Sequence, residues 1–66
     1  MRNKVKEERV RCYFTQQELA DAIQVSRQTI HSIESNRYVP STILALKLAK
    51  TLQVKVEDLF ELEDTD

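Results

Sequence analysis

Thr15-Gln16-Gln17-Glu18-Leu19-Ala20-Asp21-Ala22-Ile23-Gln24-Val25-Ser26-Arg27-Gln28-Thr29-Ile30-His31-Ser32-Ile33-Glu34-Ser35 decides the fold of this 66-residue chain. It opens on a capping box, in which the Thr15 hydroxyl accepts the backbone N–H of Glu18 while the Glu18 carboxylate accepts that of Thr15. Leu19, Ala20 and Ile23 then fall on one apolar face, which predicts a helix ending near Ile23. Ser26 is a second N-cap and opens a helix at Arg27 that runs to about Ser35. Only Gln24 and Val25 lie between the two. So short a connection forces a sharp crossing, the outline of a helix-turn-helix.

The pattern stays helical on either side. Val5 and Val10 mark a first helix over about Asn3 to Arg11, and Cys12-Tyr13-Phe14 follows as an apolar connection tucked over the core. Asn36 suits the left-handed position that ends a helix. Arg37 to Pro40 make an extended link, because the residue before a proline avoids the helical region. Ser41 caps a fourth helix from Thr42 to about Leu52, with Leu44, Ala45, Leu48, Ala49 and Leu52 as its stripe. Val56 to Phe60 give a last short helix. Glycine is absent, so tight primed hairpins are hard to build. The expected class is all-α with five helices, in a single domain over residues 1–62 followed by a disordered acidic end at 63–66.

Composition narrows the function. One cysteine, Cys12, excludes an internal disulfide, and one histidine, His31, leaves no ligand set for a structural metal. No Gly-rich phosphate loop and no paired nucleophile and base are present, so no enzyme and no cofactor are expected. The longest apolar run, Ile43-Leu44-Ala45-Leu46, is far short of the ~20 residues that span a bilayer. The N-terminus has no apolar export segment, and a soluble, cytoplasmic protein is the expectation. The net charge of −1 hides an asymmetry: residues 1–56 hold all 10 bases and 5 acids, and residues 57–66 hold 6 acids and no base. A basic body suits a polyanionic partner.

In the third predicted helix Ile30, Ile33 and Glu34 share the inward face. Gln28, His31, Ser32 and Ser35 then point outward, with Arg27 on the flank, and no acid stands among them. Arg can bind guanine through O6 and N7, and Gln can bind adenine through N6 and N7. Such a face is suited to reading bases.

These residues also resemble a known family. Phe14-Thr15-Gln16-Gln17-Glu18-Leu19-Ala20, Val25-Ser26-Arg27-Gln28-Thr29-Ile30, Ile33-Glu34 and Tyr38-Val39-Pro40-Ser41 are similar, in order, to the Cro/repressor-like (XRE) helix-turn-helix family. The likeness continues through Ala45-Leu46-Lys47-Leu48-Ala49-Lys50 to Val56-Glu57-Asp58-Leu59-Phe60, most like the small stand-alone prokaryotic regulators. The resemblance implies a five-helix DNA-binding domain and a regulator of transcription that binds an inverted repeat as a homodimer. Arg27, Gln28 and Ser32 take its base-reading positions. His31, from its outward position alone, is placed to touch a base edge or a phosphate, or is simply solvated. Gln16 takes the place of a phosphate anchor. Thr29 and Ser35 fall where phosphate or flanking contacts are common, and Arg37 and Tyr38 lie in the loop that rests against the backbone. Glycines common in the family are replaced by Gln24 and Gln53, and Ser35-Asn36 stands for Asn-Gly. Left-handed non-glycine residues are therefore expected.

The expectation is a sequence-specific DNA-binding repressor whose partners are duplex DNA and a second copy of itself. No small-molecule ligand is evident. Ile43 and Leu62 exceed what so small a core needs, and with Leu59 and Phe60 they form the candidate dimer patch. An antitoxin-like interaction module with secondary DNA binding is the alternative. A restriction–modification controller shares the same fold and chemistry.

Overall fold

The computed structural model describes all 66 residues. Five helices follow in order: α1 over Val5–Arg11, α2 over Gln16–Ile23, α3 over Arg27–Glu34, α4 over Thr42–Leu52 and α5 over Val56–Leu59. Two-residue strands flank them, β1 (Arg2–Asn3) and β2 (Phe60–Glu61), paired antiparallel with Arg2 opposite Glu61 and Asn3 opposite Phe60.

Side-chain caps start the three central helices. The Thr15 capping box is present in both directions, and the hydroxyls of Ser26 and Ser41 accept from Thr29 N–H at 3.1 Å and Leu44 N–H at 3.2 Å. Each such cap satisfies a donor that the first helical turn leaves free.

One motif ends α1, α2, α3 and α4. The N–H groups of Phe14, Val25, Arg37 and Val54 reach back to the carbonyls of Arg9, Ala20, Ser32 and Ala49 at 2.9–3.0 Å. The preceding residue in each case, Tyr13, Gln24, Asn36 or Gln53, lies at φ 59–63°. This is the Schellman closure, usually made with glycine. Here a Cβ is forced into the left-handed region four times, at a cost of roughly 1 kcal/mol or more per position. Gln24, Asn36 and Gln53 meet the expectation from sequence.

Val5, Leu19, Ala20, Ile23, Ile30, Ile33, Leu44, Leu48, Ala49, Leu52 and Leu59 make one core. α2 packs on both α3 and α4, and α1 closes over the same two helices. Phe14, Val25 and Val54, each following a left-handed residue, pack against this core and so link three of the four turns to the interior.

Several boundaries differ from the sequence reading. Asn3 is not the start of α1, because its backbone pairs with Phe60 and its Oδ1 accepts the N–H of Val5 at 3.1 Å. Phe60 leaves α5 for the same pairing. Val10 is exposed, and Tyr13, 93% exposed, is not tucked over the core: its left-handed backbone turns the ring outward while Cys12 and Phe14 stay half-buried. Leu59 is 1% exposed and fills the core, so it cannot belong to a surface patch.

Candidate nucleic-acid interface

α3 is fixed from beneath by Ile30 and Ile33, which are fully buried. Its far end is held by Asn3, whose Nδ2 donates to the Ile33 carbonyl at 2.9 Å and to Asn36 Oδ1 at 3.0 Å. With its underside buried and its far end tied, α3 presents Arg27, Gln28 and His31 to solvent on its outer face.

The other candidates differ in how free they are. Ser32 and Thr29 are half-buried. The Thr29 hydroxyl lies 3.0 Å from the Ser26 hydroxyl inside the cap. Ser35 is exposed, but its hydroxyl donates to the His31 carbonyl at 2.8 Å. Arg37 is exposed with no side-chain partner, and Tyr38 beside it is also exposed. The loop Arg37–Pro40 thus offers a free cation next to the end of α3.

Gln16, the first residue of α2, reaches across to α3 twice. Its Nε2 donates to Glu34 Oε1 at 3.1 Å, and its Oε1 accepts from Arg27 Nη1 at 3.2 Å. Glu34 is bound in turn by Arg9 of α1, through Nε to Oε2 at 2.7 Å and Nη2 to Oε1 at 3.3 Å. Arg9 also donates Nη1 to the Phe14 carbonyl at 2.8 Å. The two side chains are 12% and 5% exposed, so the only acid of α3 is paired and turned inward. No carboxylate of α3 therefore opposes a polyanion on its outer face.

Sequence reasoning put Glu34 on the buried face but missed its partner. The signal was available, since an acid on an apolar face needs a cation against it. Lys6 of α1 was missed as well: it lines a polar notch with Gln16, His31, Glu34 and Ser35, beside the C-terminal half of α3. Its position emerges only once α1 is packed on α3.

The candidate dimer residues divide. Ile43 and Leu62 are 69% and 78% exposed, and Phe60 is half-buried. Phe60 lines an apolar groove with Val39, Pro40, Ala45, Leu46 and Val56, and of these Val39 and Leu46 are largely exposed. Neither was expected from sequence, because Leu46 sits in a helix whose stripe is already complete without it.

No group of His, Cys, Asp and Glu side chains is arranged to hold a metal ion. No helix is long and apolar enough to cross a membrane.

Residues 5–59 match the family model for the helix-turn-helix domain. The chain is 48% identical over 64 residues to the HTH-type transcriptional regulator YgzD of Bacillus subtilis, covering 97% of each protein. It is 48% identical over 66 residues to the HTH-type transcriptional regulator MJ0272 of Methanocaldococcus jannaschii, over the full length of both. Among solved structures it is similar to the restriction-modification controller protein C.AhdI from Aeromonas hydrophila, with a TM-score of 0.79, 26% identity and 86% of each chain covered. A capped α2, a three-residue turn and an α3 with an acid-free outer face occupy the matched residues, and the chain belongs to the Cro/repressor-like (XRE) helix-turn-helix family of DNA-binding transcriptional regulators.

Proposed function

We propose that this regulator binds an inverted-repeat operator as a homodimer and acts as a repressor, with α3 of each copy in the major groove. The observation that carries this reading is the outer face of α3, where Arg27, Gln28 and His31 stand exposed with the only acid of the helix turned inward onto Arg9. Arg27 and Gln28 have the hydrogen-bonding patterns that guanine and adenine require. Ser32 and His31 complete the set of base contacts. Gln16, Thr29, Ser35, Arg37 and Tyr38 position the protein on the phosphates, and contacts of that kind make binding weaken as salt rises. Dimerisation through Ile43, Phe60 and Leu62 sets two recognition helices about 34 Å apart, one turn of B-DNA. Residues 63–66 form an acidic end held away from DNA.

Selection from random duplex DNA at about 150 mM salt tests the reading. Enrichment of an inverted repeat with half-site centres about 10 base pairs apart is the expected result. Absence of any enriched sequence from a folded sample overturns it, and the search then moves to a protein partner. A second reading has its own support: C.AhdI is a restriction-modification controller protein, and the likeness in fold suggests the same role here. The genes that lie beside the enriched operator decide between a controller of that kind and a repressor of other genes.

A further inference from the structure

A carboxamide has two ends of nearly equal size, and its neighbours decide which way it points. Gln16 lies between Glu34, whose Oε1 can only accept at 3.1 Å, and Arg27, whose Nη1 can only donate at 3.2 Å. Only one orientation satisfies both. Reversing the amide would set its oxygen against a carboxylate and its NH2 against a guanidinium. Glu34 cannot turn aside, because Arg9 grips both its oxygens and is itself tied to the Phe14 carbonyl.

From this geometry we infer that Glu34 is a positioning residue for base recognition: locked by Arg9, it orients the Gln16 amide, and the Gln16 oxygen aims the Arg27 guanidinium. The inference rests on the reading that Arg27 contacts a base. One Nη1 hydrogen of Arg27 is engaged by Gln16, and its remaining N–H groups are left for the two acceptors of guanine. Holding a long, rotamer-rich side chain in place before DNA arrives lowers what must be ordered on binding. One Nε2 hydrogen of Gln16 also remains outside the relay, so the same side chain can still donate to a phosphate.

The test uses two variants, each with the full chain. Arg9→Met/Glu34→Leu removes the charge pair from both sides, a replacement that buried ion pairs tolerate. Gln16→Met leaves the ion pair intact and removes both links of the Gln16 amide, to Glu34 and to Arg27, together with its proposed phosphate contact, whose loss lowers affinity for all sequences alike. Sequence preference from random duplex selection is compared with that of the wild type and of Arg27→Ala, and the order of the Arg27 guanidinium is followed by NMR relaxation at Nε without DNA. In both variants, discrimination at the base pair lost in Arg27→Ala is expected to fall about three- to tenfold, with preferences elsewhere kept. Arg27 is also expected to become mobile in the free protein. Wild-type discrimination at that base pair in either folded variant overturns the inference, as does unchanged order at Arg27. If instead Arg27→Ala alters no base preference, base reading by Arg27 fails, and the NMR arm still shows whether Glu34 and Gln16 hold its side chain.

Discussion

Arg9 of α1 and Glu34 of α3 form a two-point ion pair, at 2.7 and 3.3 Å, that is almost sealed from solvent. Such a pair contributes little over a well-packed apolar replacement, but losing one partner strands a charge. Arg9→Met or Glu34→Leu alone is expected to cost about 3–5 kcal/mol, a large share of the stability of so short a domain. The double substitution should lie near the wild type. Urea unfolding of the three variants checks this, and additive losses would contradict it.

Arg27 and Arg37 differ in surroundings, and their removal should differ in kind. Arg27→Ala is expected to relax preference at one position of each half-site by about 1–3 kcal/mol. Arg37→Ala should weaken all sequences alike and reduce the slope of log K against log salt by about 1. Fluorescence anisotropy on the selected operator and on single-base variants, at several salt concentrations, separates the two.

The left-handed residues Gln24 and Gln53 carry a Cβ where glycine would be free of strain. Gln24→Gly and Gln53→Gly are each expected to stabilise the fold by up to about 1 kcal/mol, offset in part by the greater freedom of glycine in the unfolded chain. A rise in the urea midpoint with unchanged m-value is the signature.

Ile43 and Leu46 stand three residues apart on α4, and both are largely exposed. If this face meets a second copy, Ile43→Asp should leave the melting temperature of the monomer almost unaltered yet halve the mass in sedimentation equilibrium. Operator affinity should then fall at least tenfold, because each half-site would be bound singly. A wild type that sediments as a monomer at micromolar concentration would remove the basis for this expectation.

The two ends of the chain meet across β1 and β2. The Met1 ammonium lies 2.9 Å from both Asp66 Oδ1 and Glu63 Oε1, and Arg2 pairs with Glu61. Hydrogen bonds to Asp66 and then Glu63 raise the ammonium above its ordinary 8.0, so its contribution is complete below that value and is lost as pH rises through the raised one. The Glu63 backbone N–H and then the Met1 ammonium hold Asp66 below its ordinary 3.8, so its contribution is present above that value and is lost as pH falls through the lowered one. The clasp is therefore firmest between those limits. NOEs between Asn3 and Phe60 should weaken at both extremes and, in Asp66→Asn, at neutral pH as well.

Local signals accounted for most of the helical frame. Thr15, Ser26 and Ser41 announce α2, α3 and α4 because a cap is decided by residues three apart, and the stripes behind them give the buried faces. The β1–β2 pairing was invisible, since two residues from each end make no alternation that a sequence window could register. Tyr13 was missed for a different reason: no residue type except glycine or asparagine signals a left-handed position. At the interface, the exposure of Arg27, Gln28 and His31 followed from helical phase alone. The tie between Arg27 and Glu34 did not, because it passes through Gln16 on another helix and is secured by Arg9 on a third.

That wiring divides the residues proposed to read bases by how freely they can drift in a lineage. Gln28 and His31 are exposed and make no side-chain hydrogen bond, so under the proposed function a single mutation at either rewrites part of the operator preference at little risk to folding. Arg27 is different. A new side chain there meets the Gln16 amide oxygen, and reversing that amide is barred by a carboxylate that Arg9 keeps in place. Diverging copies of this regulator should therefore acquire new targets first through Gln28 and His31. A change at Arg27 should arrive together with one at Gln16, as a paired step.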